Sequence, residues 1–230
     1  MNSKSLFMRL FTGLFLLLML VSLSNFAQRR AKSCVEPYLM KTKAILFYRE
    51  QGQRIYGLKK GETLASVGAG SGSKEVIYSM GADSLTFYLG DIDMGCLSPE
   101  AIGATTQTLY GRANQTNTAR FIPVLGAINK TNLPLASIDK LMIENSLHEF
   151  TEADDMLRDI RDVLKPTGEL YILENIATQE GQRHQGCKRL LFTHQTLVDL
   201  LKKHRFQLLR HETVTKESPD YQAYVFRKEE

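Results

Sequence analysis

The pattern of apolar and polar positions divides most of the chain into two kinds of segment, which follow each other in turn. Apolar runs of strand length lie at 64–67, 85–89, 121–125, 138–143 and 170–173, and a final pair lies at 206–209 and 221–226. Between them, apolar residues recur at helical spacing, as at Met156, Leu157, Ile160 and Val163. Strands that alternate with helices predict an α/β fold with a doubly wound, mostly parallel sheet covered on both faces.

Local signals set the expected helix limits. Ser98 followed by Pro99 predicts a helix start, and a second start is predicted near Thr151. Pro166 and Gly168 predict the end of that second helix. Further helices are expected over 73–80 and around Leu197 to Leu201, and one or two lead-in helices are expected within 35–56.

Residues 1–27 have the layout of a secretory signal peptide. Lys4 and Arg9 precede an uncharged apolar run over 10–21, and a small polar segment follows over 22–27. This predicts a signal peptide or signal-anchor and an exported protein, either periplasmic or anchored in the membrane. The alternative is an uncleaved anchor that holds the chain on the cytoplasmic face. It rests on basic residues that follow the apolar run, namely Arg29, Arg30 and Lys32.

Two regions follow the signal: lead-in helices over 28–56 and one domain over 57–230. The formal charge is +4, and it falls to +2 without Lys4 and Arg9, so no nucleic-acid partner is expected. The N-terminal segment suggests proximity to a membrane, and the sequence indicates no oligomeric state.

The three cysteines lack a C-x-x-C spacing, so no metal site is expected. One disulfide with a free thiol remains open if the protein is exported.

The most specific motif is the turn after the first strand, where Gly68, Gly70 and Gly72 stand at alternate positions. Glycine brings backbone N–H groups close to a ligand because it has no Cβ. Ser73 stands where a dinucleotide fingerprint needs its third glycine, which disfavours a nicotinamide-dependent oxidoreductase. The turn also lacks the Gly-Lys-Ser/Thr of a P-loop.

Six segments together resemble the class I S-adenosylmethionine-dependent methyltransferases. They lie at 58–62, 67–72, 87–93, 133–139, 141–150 and 161–168, and the resemblance spans about 57–228. The Val-Leu-Lys-Pro-x-Gly sequence that ends at Gly168 is its most specific part. The resemblance implies a Rossmann-like, seven-stranded methyltransferase fold with its last strand antiparallel. It also implies S-adenosyl-L-methionine as cofactor and methyl transfer, most simply to a small molecule.

Carried over to this chain, the resemblance implies that the three glycines approach the methionine and ribose portion of the cofactor. Asp91 would hold the ribose hydroxyls, with Asp93 as the reserve candidate. The alternative for either carboxylate is a turn cap. Ser66 and Asn145 complete the expected cofactor-binding set.

Two departures from the family pattern predict weaker cofactor binding. Ser66 stands where the family has an acidic residue before the first glycine, and 125–129 lacks the acidic residue expected near the adenine. Each lost charged contact costs about 1.5–3 kcal/mol. S-adenosylmethionine is also made in the cytoplasm, whereas the signal predicts export. The alternative function is therefore a non-catalytic, exported binding or scaffold protein that retains the fold.

His148, after the fourth strand, is the candidate catalytic base, because imidazole titrates near neutral pH. The alternative is that His148 only hydrogen-bonds a neighbouring backbone group. Glu174, at the end of the fifth strand, is expected either at the mouth of the site or in solvent. A basic cluster follows, with two interpretations: a site for anionic substrates or lipid head groups, or a solvated loop. It comprises Arg183, His184, Lys188, Arg189 and His194.

Overall fold

A single seven-stranded sheet organises residues 33–229, the part of the chain that this computed structural model describes. The signal segment 1–27 lies outside the described residues. The strands are β1 (Thr63–Val67), β2 (Thr86–Asp91), β3 (Arg120–Leu125), β4 (Ile138–Glu144), β5 (Leu164–Asn175), β6 (Phe206–Thr215) and β7 (Ser218–Lys228). Their order is β3-β2-β1-β4-β5-β7-β6. The first five are parallel, and β7 runs antiparallel to β5 and β6, which confirms the predicted fold.

Helices cover both faces of this sheet. A short 3-10 turn (Pro37–Met40) precedes α1 (Thr42–Tyr56), α2 (Ser73–Tyr78), α3 (Pro99–Ala113), α4 (Ala153–Val163) and α5 (His194–Lys203). The apolar residues of α4 and α5 pack in one core layer with β4 and β5. Residues of α1, α2 and α3 pack in the layers on the opposite face. The doubly wound arrangement follows from these two layers.

The central strands carry consecutive buried apolar residues because each of their faces meets a core layer. In β4, Leu141 and Ile143 face the layer of α4 and α5, whereas Met142 faces the layer of α1 to α3. All three side chains are fully buried. A strand buried on both faces lacks the alternation of a half-exposed strand, which is why these runs indicate a parallel sheet.

Most helix and strand limits follow the predictions, but β6 and β7 are longer than predicted, at Phe206–Thr215 and Ser218–Lys228, and α4 and β5 begin elsewhere. Ser98 caps α3 as expected, because its side chain accepts a hydrogen bond from the N–H of Ala101 at 3.2 Å. Helix α4 begins at Ala153, two residues after Thr151. Strand β5 begins earlier than expected, at Leu164, because Leu164 pairs with Ile138 before a register shift in the ladder.

One disulfide joins Cys34 to Cys96, with 5.7 Å between the two Cα atoms. It ties the segment before the 3-10 turn to the connection between β2 and α3. Cys187 is free and exposed. The arrangement is the one bridge with a free thiol that the sequence left open.

Among residues 33–229, no helix combines the length and the apolar character that crossing a membrane would need.

Gly72 is expected to tolerate alanine less well than Gly70, although both have positive φ angles, of 68° and 57°. A Cβ on Gly72 would lie 2.9 Å from Ile102 Cδ1, whereas a Cβ on Gly70 would meet nothing within 4 Å. Gly70→Ala should cost about 1–2 kcal/mol for the left-handed backbone alone. Gly72→Ala should cost about 1–3 kcal/mol more from overpacking. Urea unfolding of both variants measures the difference, and equal losses would contradict it.

Candidate functional site

A cavity of about 520 Å³ lies at the carboxyl ends of β1, β2 and β4. This volume falls within the range of small-molecule sites, about 300–1,000 Å³. Ligands of open α/β sheets bind at this edge of the sheet, so the position is the expected one. The cavity is lined by Val67, Gly68, Gly90, Asp91, Ile92, Gly126, Ala127, Ile128, Lys130, Thr131, Ser146, Glu149, Phe150, Thr151, Met156, Cys187 and Arg189.

The turn that contains Gly68, Gly70 and Gly72, here called the glycine bend, is held to the end of β2 by backbone hydrogen bonds. The N–H groups of Gly68 and Ala69 donate to the carbonyl oxygen of Gly90 at 2.9 and 3.0 Å. Gly68 has a φ of 79°, and a Cβ there would lie 2.6 Å from Ser146 Oγ. Glycine at this position therefore permits both the turn and the close approach of the segment after β4.

Asp91 links the bend to the cavity. One carboxylate oxygen, Oδ2, accepts the N–H of Gly70 at 2.8 Å, and Oδ1 accepts the N–H of Asp93 at 3.0 Å. An ionised carboxylate has about four acceptor positions, so two stay available for hydroxyl donors in the cavity. Asp93 is exposed and its carboxylate accepts the N–H of Gly95 at 2.8 Å. Asp93 thus caps a turn, and Asp91 is the one of these two carboxylates that lines the cavity.

The other predicted cofactor residues lie outside the cavity lining. Ser66 is buried in β1, and Gly72 is buried where α2 begins. Asn145 follows β4, and its side-chain oxygen accepts a hydrogen bond from Asn175 Nδ2 at 2.7 Å. Of the predicted set, the structure places only Gly68 and Asp91 in the cavity lining, and Gly70 is exposed and bonded to Asp91.

A buried acidic residue stands beside Ser66. The Glu75 side chain, from α2, reaches Ser66, and burial together with the charge of Glu144 raises the Glu75 pKa to about 7. Glu144 itself receives hydrogen bonds from Lys74 Nζ, at 2.9 Å, and from the Tyr56 hydroxyl. These contacts turn Glu144 toward α1 and α2 and away from the cavity.

Glu75→Gln is expected to gain stability relative to the parent chain as the pH rises. The Glu75 pKa is raised to about 7 from 4.5, so its contribution is complete below pH 4.5 and is lost as the pH rises through 7. The difference in unfolding free energy between variant and parent should therefore shift by about 2–3 kcal/mol between pH 5 and 8. Urea unfolding at both pH values measures it. Glu100→Gln, at an exposed position, is the control, and a pH-independent difference would contradict the interpretation.

The wall beside β3 is apolar where the family pattern has an acidic residue. Gly126, Ala127 and Ile128 line it, with Ile92 from the segment after β2. Ile92 and Ile128 are 64% and 57% exposed, so both side chains offer apolar surface to a ligand in the cavity. Lys130 is the nearest charged residue in the lining along this segment.

His148 and Glu174 form a buried pair. His148 Nδ1 lies 2.8 Å from Glu174 Oε2, and both side chains are 0% exposed. The hydrogen bond to Glu174 raises the His148 pKa, against the opposing effect of burial. The ring therefore bonds a carboxylate and not a neighbouring backbone group, and the expectation of a solvated Glu174 is wrong. His148 is not among the cavity-lining residues, and its role as a base stays a prediction.

The basic cluster separates into residues with different partners. Arg183 Nη1 donates to the Lys188 carbonyl oxygen at 2.8 Å, and Lys188 Nζ donates to the Gln185 carbonyl oxygen at 2.6 Å. Arg189 lines the cavity. His194 lies elsewhere, with Nδ1 3.1 Å from the Tyr224 hydroxyl oxygen. Only Arg189 is placed to meet an anionic ligand in the cavity.

Several lining residues were missed by the sequence reasoning. Ser146, Phe150 and Met156 follow β4, and Cys187 belongs to the connection after β5. The sequence signal for the first three is their place just beyond the carboxyl end of a central strand. No local pattern marks Cys187 as part of the cavity.

Comparisons with known proteins agree with this geometry. A family model described as a methyltransferase domain matches residues 66–172. No curated protein sequence matches the chain significantly.

Solved structures with the same fold include proteins of several activities. A SAM dependent methyltransferase from Aquifex aeolicus is 18% identical, with a TM-score of 0.58 over 84% of this chain and 97% of that one. The 1,6-didemethyltoxoflavin-N1-methyltransferase of Burkholderia thailandensis, solved with S-adenosylhomocysteine, is 19% identical, with a TM-score of 0.56 over 82% and 80%. The [4+2]-cyclase SpnF is 17% identical, with a TM-score of 0.60 over 80% of each chain.

At these identities the structural likeness establishes the fold, and the family model adds the sequence pattern that starts at the glycine bend. The methyltransferase-domain match over residues 66–172 and the fold are both consistent with the class I S-adenosylmethionine-dependent methyltransferase family.

Proposed function

We propose that this protein binds S-adenosylmethionine at the glycine bend and transfers its methyl group to a small molecule. The observation that carries the proposal is Asp91, which lies in the cavity wall and is held by the N–H of Gly70 at 2.8 Å. A carboxylate fixed in this way is preorganised to accept ribose hydroxyls, and bonds to charged acceptors are the stronger kind.

The residues around the cavity fit the parts of this cofactor. Gly68 presents backbone without a side chain, and Asp91 offers the free acceptor positions that a ribose needs. The exposed apolar side chains of Ile92 and Ile128 offer a surface for the adenine ring. When bound, S-adenosylmethionine supplies an electrophilic methyl group.

Residues from the segments after β4 and β5 would hold the substrate. Phe150 and Met156 provide an apolar surface, and Arg189 provides a positive charge. Methyl transfer depends chiefly on alignment of the two reactants in a site with little water. The cavity volume of about 520 Å³ and the small-molecule substrate named for the Burkholderia enzyme support a small-molecule acceptor.

We also propose that the protein is exported and acts in the periplasm or at the membrane. The N-terminal layout supports this, and so does the disulfide between Cys34 and Cys96, because disulfides persist in oxidising compartments. N-terminal sequencing of native protein from fractionated cells tests it. A start near residue 28 in the periplasmic fraction supports cleavage and export, and an intact N terminus with Cys34 and Cys96 reduced contradicts export.

A second candidate is a non-catalytic binding or scaffold protein that keeps the fold. Two observations favour it: the neutral Ser66 before the bend, and a disulfide that points to a compartment where the cofactor is not made. This candidate predicts that the cavity binds a ligand without turning it over.

The experiment that separates the two candidates measures product. Protein purified after expression of the full chain is incubated with S-adenosylmethionine labelled on the methyl group and a small-molecule extract of the envelope fraction. The enzyme proposal expects S-adenosylhomocysteine to form together with a labelled small molecule, and Asp91→Asn to reduce both. The second candidate would be favoured if the protein bound S-adenosylmethionine but no fraction of the extract led to its conversion into S-adenosylhomocysteine.

A further inference from the structure

Four potential metal ligands converge beside the cavity, from two separate segments. His148 and Glu149 belong to the turn after β4, and His184 and Cys187 belong to the connection between β5 and α5. One ligand atom from each residue lies within 4.8 Å of the other three. Two of the four, Glu149 and Cys187, also line the cavity.

The His148 ring has an unused nitrogen that points into this group. Its residue is 7% exposed, and Nε2 has no hydrogen-bond partner among the described residues. The nearest charged atom to Nε2 is Glu149 Oε1, at 3.8 Å. A buried polar atom that is left without a hydrogen bond destabilises the fold by about 1–3 kcal/mol. A ligand bound to this nitrogen would remove that penalty.

The other ring nitrogen of His148 is already held as in metal-bound histidines. Nδ1 lies 2.8 Å from the buried carboxylate of Glu174, and that carboxylate also accepts the backbone N–H of His148 at 3.4 Å. Metal-ligating histidines usually donate the N–H of one ring nitrogen to a carboxylate. This hydrogen bond fixes the ring and leaves the lone pair of the other ring nitrogen free to bind the metal. Glu174 would be this outer partner.

His184 and Cys187 supply the other half of the group. His184 Nδ1 lies 3.2 Å from Cys187 Sγ, and it also accepts the backbone N–H of Cys187 at 3.3 Å. A metal ion would take the lone pair of this nitrogen in place of the weak hydrogen bond from the Cys187 N–H. The rings of His148 and His184 lie 4.8 Å apart between centroids.

We infer that His148, Glu149, His184 and Cys187 form a binding site for one zinc ion in the wall of the cavity. Bond lengths of about 2.0–2.3 Å around a tetrahedral zinc place the ligand atoms roughly 3.3–3.7 Å from each other. The separations of 3.2 and 3.8 Å are already close to this, so side-chain rotations complete the shell.

The ligand types select zinc over the hard cations. Magnesium and calcium need several oxygen ligands, and this group offers only the carboxylate of Glu149. Two imidazoles and a thiolate suit zinc, and the charges of Cys187 and Glu149 balance those of the ion. The 50% exposed side chain of Glu149 and the exposed Cys187 leave a path for the ion to enter.

Zinc at this place would fasten the connection that follows β5 to the turn after β4. Four protein ligands make a closed shell, which is typical of structural zinc sites. The bound ion would also keep Cys187 from oxidation in the compartment that the Cys34–Cys96 disulfide indicates. The cavity wall formed by Glu149, Cys187 and Arg189 would then be fixed.

Cobalt substitution tests the site directly. Tag-free protein from expression of the full chain is stripped with a chelator and titrated with Co²⁺, whose bond to a thiolate gives a charge-transfer band in the near ultraviolet. We expect one equivalent to bind with that band, and Zn²⁺ to displace it. Cys187→Ser should abolish the band, and His184→Asn should weaken binding more than tenfold. Glu174→Gln should weaken it about 10- to 100-fold.

His211→Asn is the matched control, because His211 is exposed on β6 and does not belong to the group. Its affinity for cobalt should equal that of the parent chain. Absence of a stoichiometric site would overturn the proposal, and so would unchanged affinity in both Cys187→Ser and His184→Asn. These variants alter exposed or half-exposed side chains, so they should fold.

Limited proteolysis gives a second readout that needs no spectrum. Trypsin cleaves after basic residues, and Arg183, Lys188 and Arg189 all lie in the fastened connection. Zinc at ten times its dissociation constant should slow cleavage there about tenfold in the parent chain and leave Cys187→Ser unprotected. Equal cleavage rates with and without zinc in the parent chain would contradict the site.

Discussion

Asp91→Asn lowers the affinity for S-adenosylmethionine about 10- to 100-fold, which corresponds to the 1.5–3 kcal/mol of a charged hydrogen bond. The reason is geometric as well as electrostatic. Asp91 is held at the end of β2 by the N–H groups of Gly70 and Asp93, and its free acceptor positions face the cavity. Asparagine keeps the size of the side chain but loses the charge and one acceptor oxygen.

Isothermal titration calorimetry of both proteins measures this change, and Asp93→Asn is the matched control. Asp93 is two residues away and exposed, and it accepts only the N–H of Gly95. Its replacement should leave the dissociation constant within about twofold of the parent value, since it makes no contact with the cavity. A larger loss in Asp93→Asn than in Asp91→Asn would show that the wrong carboxylate has been chosen.

Removal of the disulfide with the double substitution Cys34→Ala/Cys96→Ala lowers the free energy of unfolding by about 4 kcal/mol. The two cysteines are 62 residues apart, and a bridge restricts the unfolded chain more as the closed loop grows. For a domain of this size the loss corresponds to a fall in Tm of about 8–16 °C. Urea denaturation and thermal scans without reductant measure both quantities.

Two comparisons check the origin of that loss. Cys187→Ser, which removes the free thiol and leaves the bridge intact, should stay within about 0.5 kcal/mol of the parent chain in metal-free buffer. Added reductant should bring the parent chain close to the double variant and leave the double variant unchanged. A double variant as stable as the parent would mean that the bridge contributes nothing to this fold.

The fold could be predicted from the sequence because its central strands are buried on both faces. Apolar segments such as Leu141–Ile143 in β4 show no alternation of apolar and polar residues, which indicates strands of a parallel sheet. The helical segments between such strands are then the crossovers that connect them. The start of β5 could not be predicted, because Pro166 and Gly168 indicate a turn and only the pairing of Leu164 with Ile138 extends the strand.

The cofactor side of the site was also accessible from the sequence. The spacing from the glycines to Asp91 reflects one βαβ unit, so the end of β2 necessarily lies beside the bend. The choice between Asp91 and Asp93 needed coordinates, since both follow the same strand and only their hydrogen-bond partners differ.

The other half of the site depends on contacts between distant segments. His148 follows β4 and Glu174 lies near the end of the neighbouring strand β5, so their pairing needs the register of that ladder. His184 and Cys187 lie in an irregular connection whose path no hydrophobic pattern specifies. No metal site is therefore predicted from the sequence alone, whereas the folded chain brings four potential ligands together.

The central claim is that the cavity at the glycine bend holds S-adenosylmethionine. Equilibrium dialysis of the labelled cofactor against the purified protein tests it most directly. We predict saturable binding of one molecule per chain with a dissociation constant below the millimolar range, displaced by S-adenosylhomocysteine and weakened in Asp91→Asn. The claim would be contradicted if protein with an intact disulfide and fold failed to show saturable binding at millimolar cofactor concentrations.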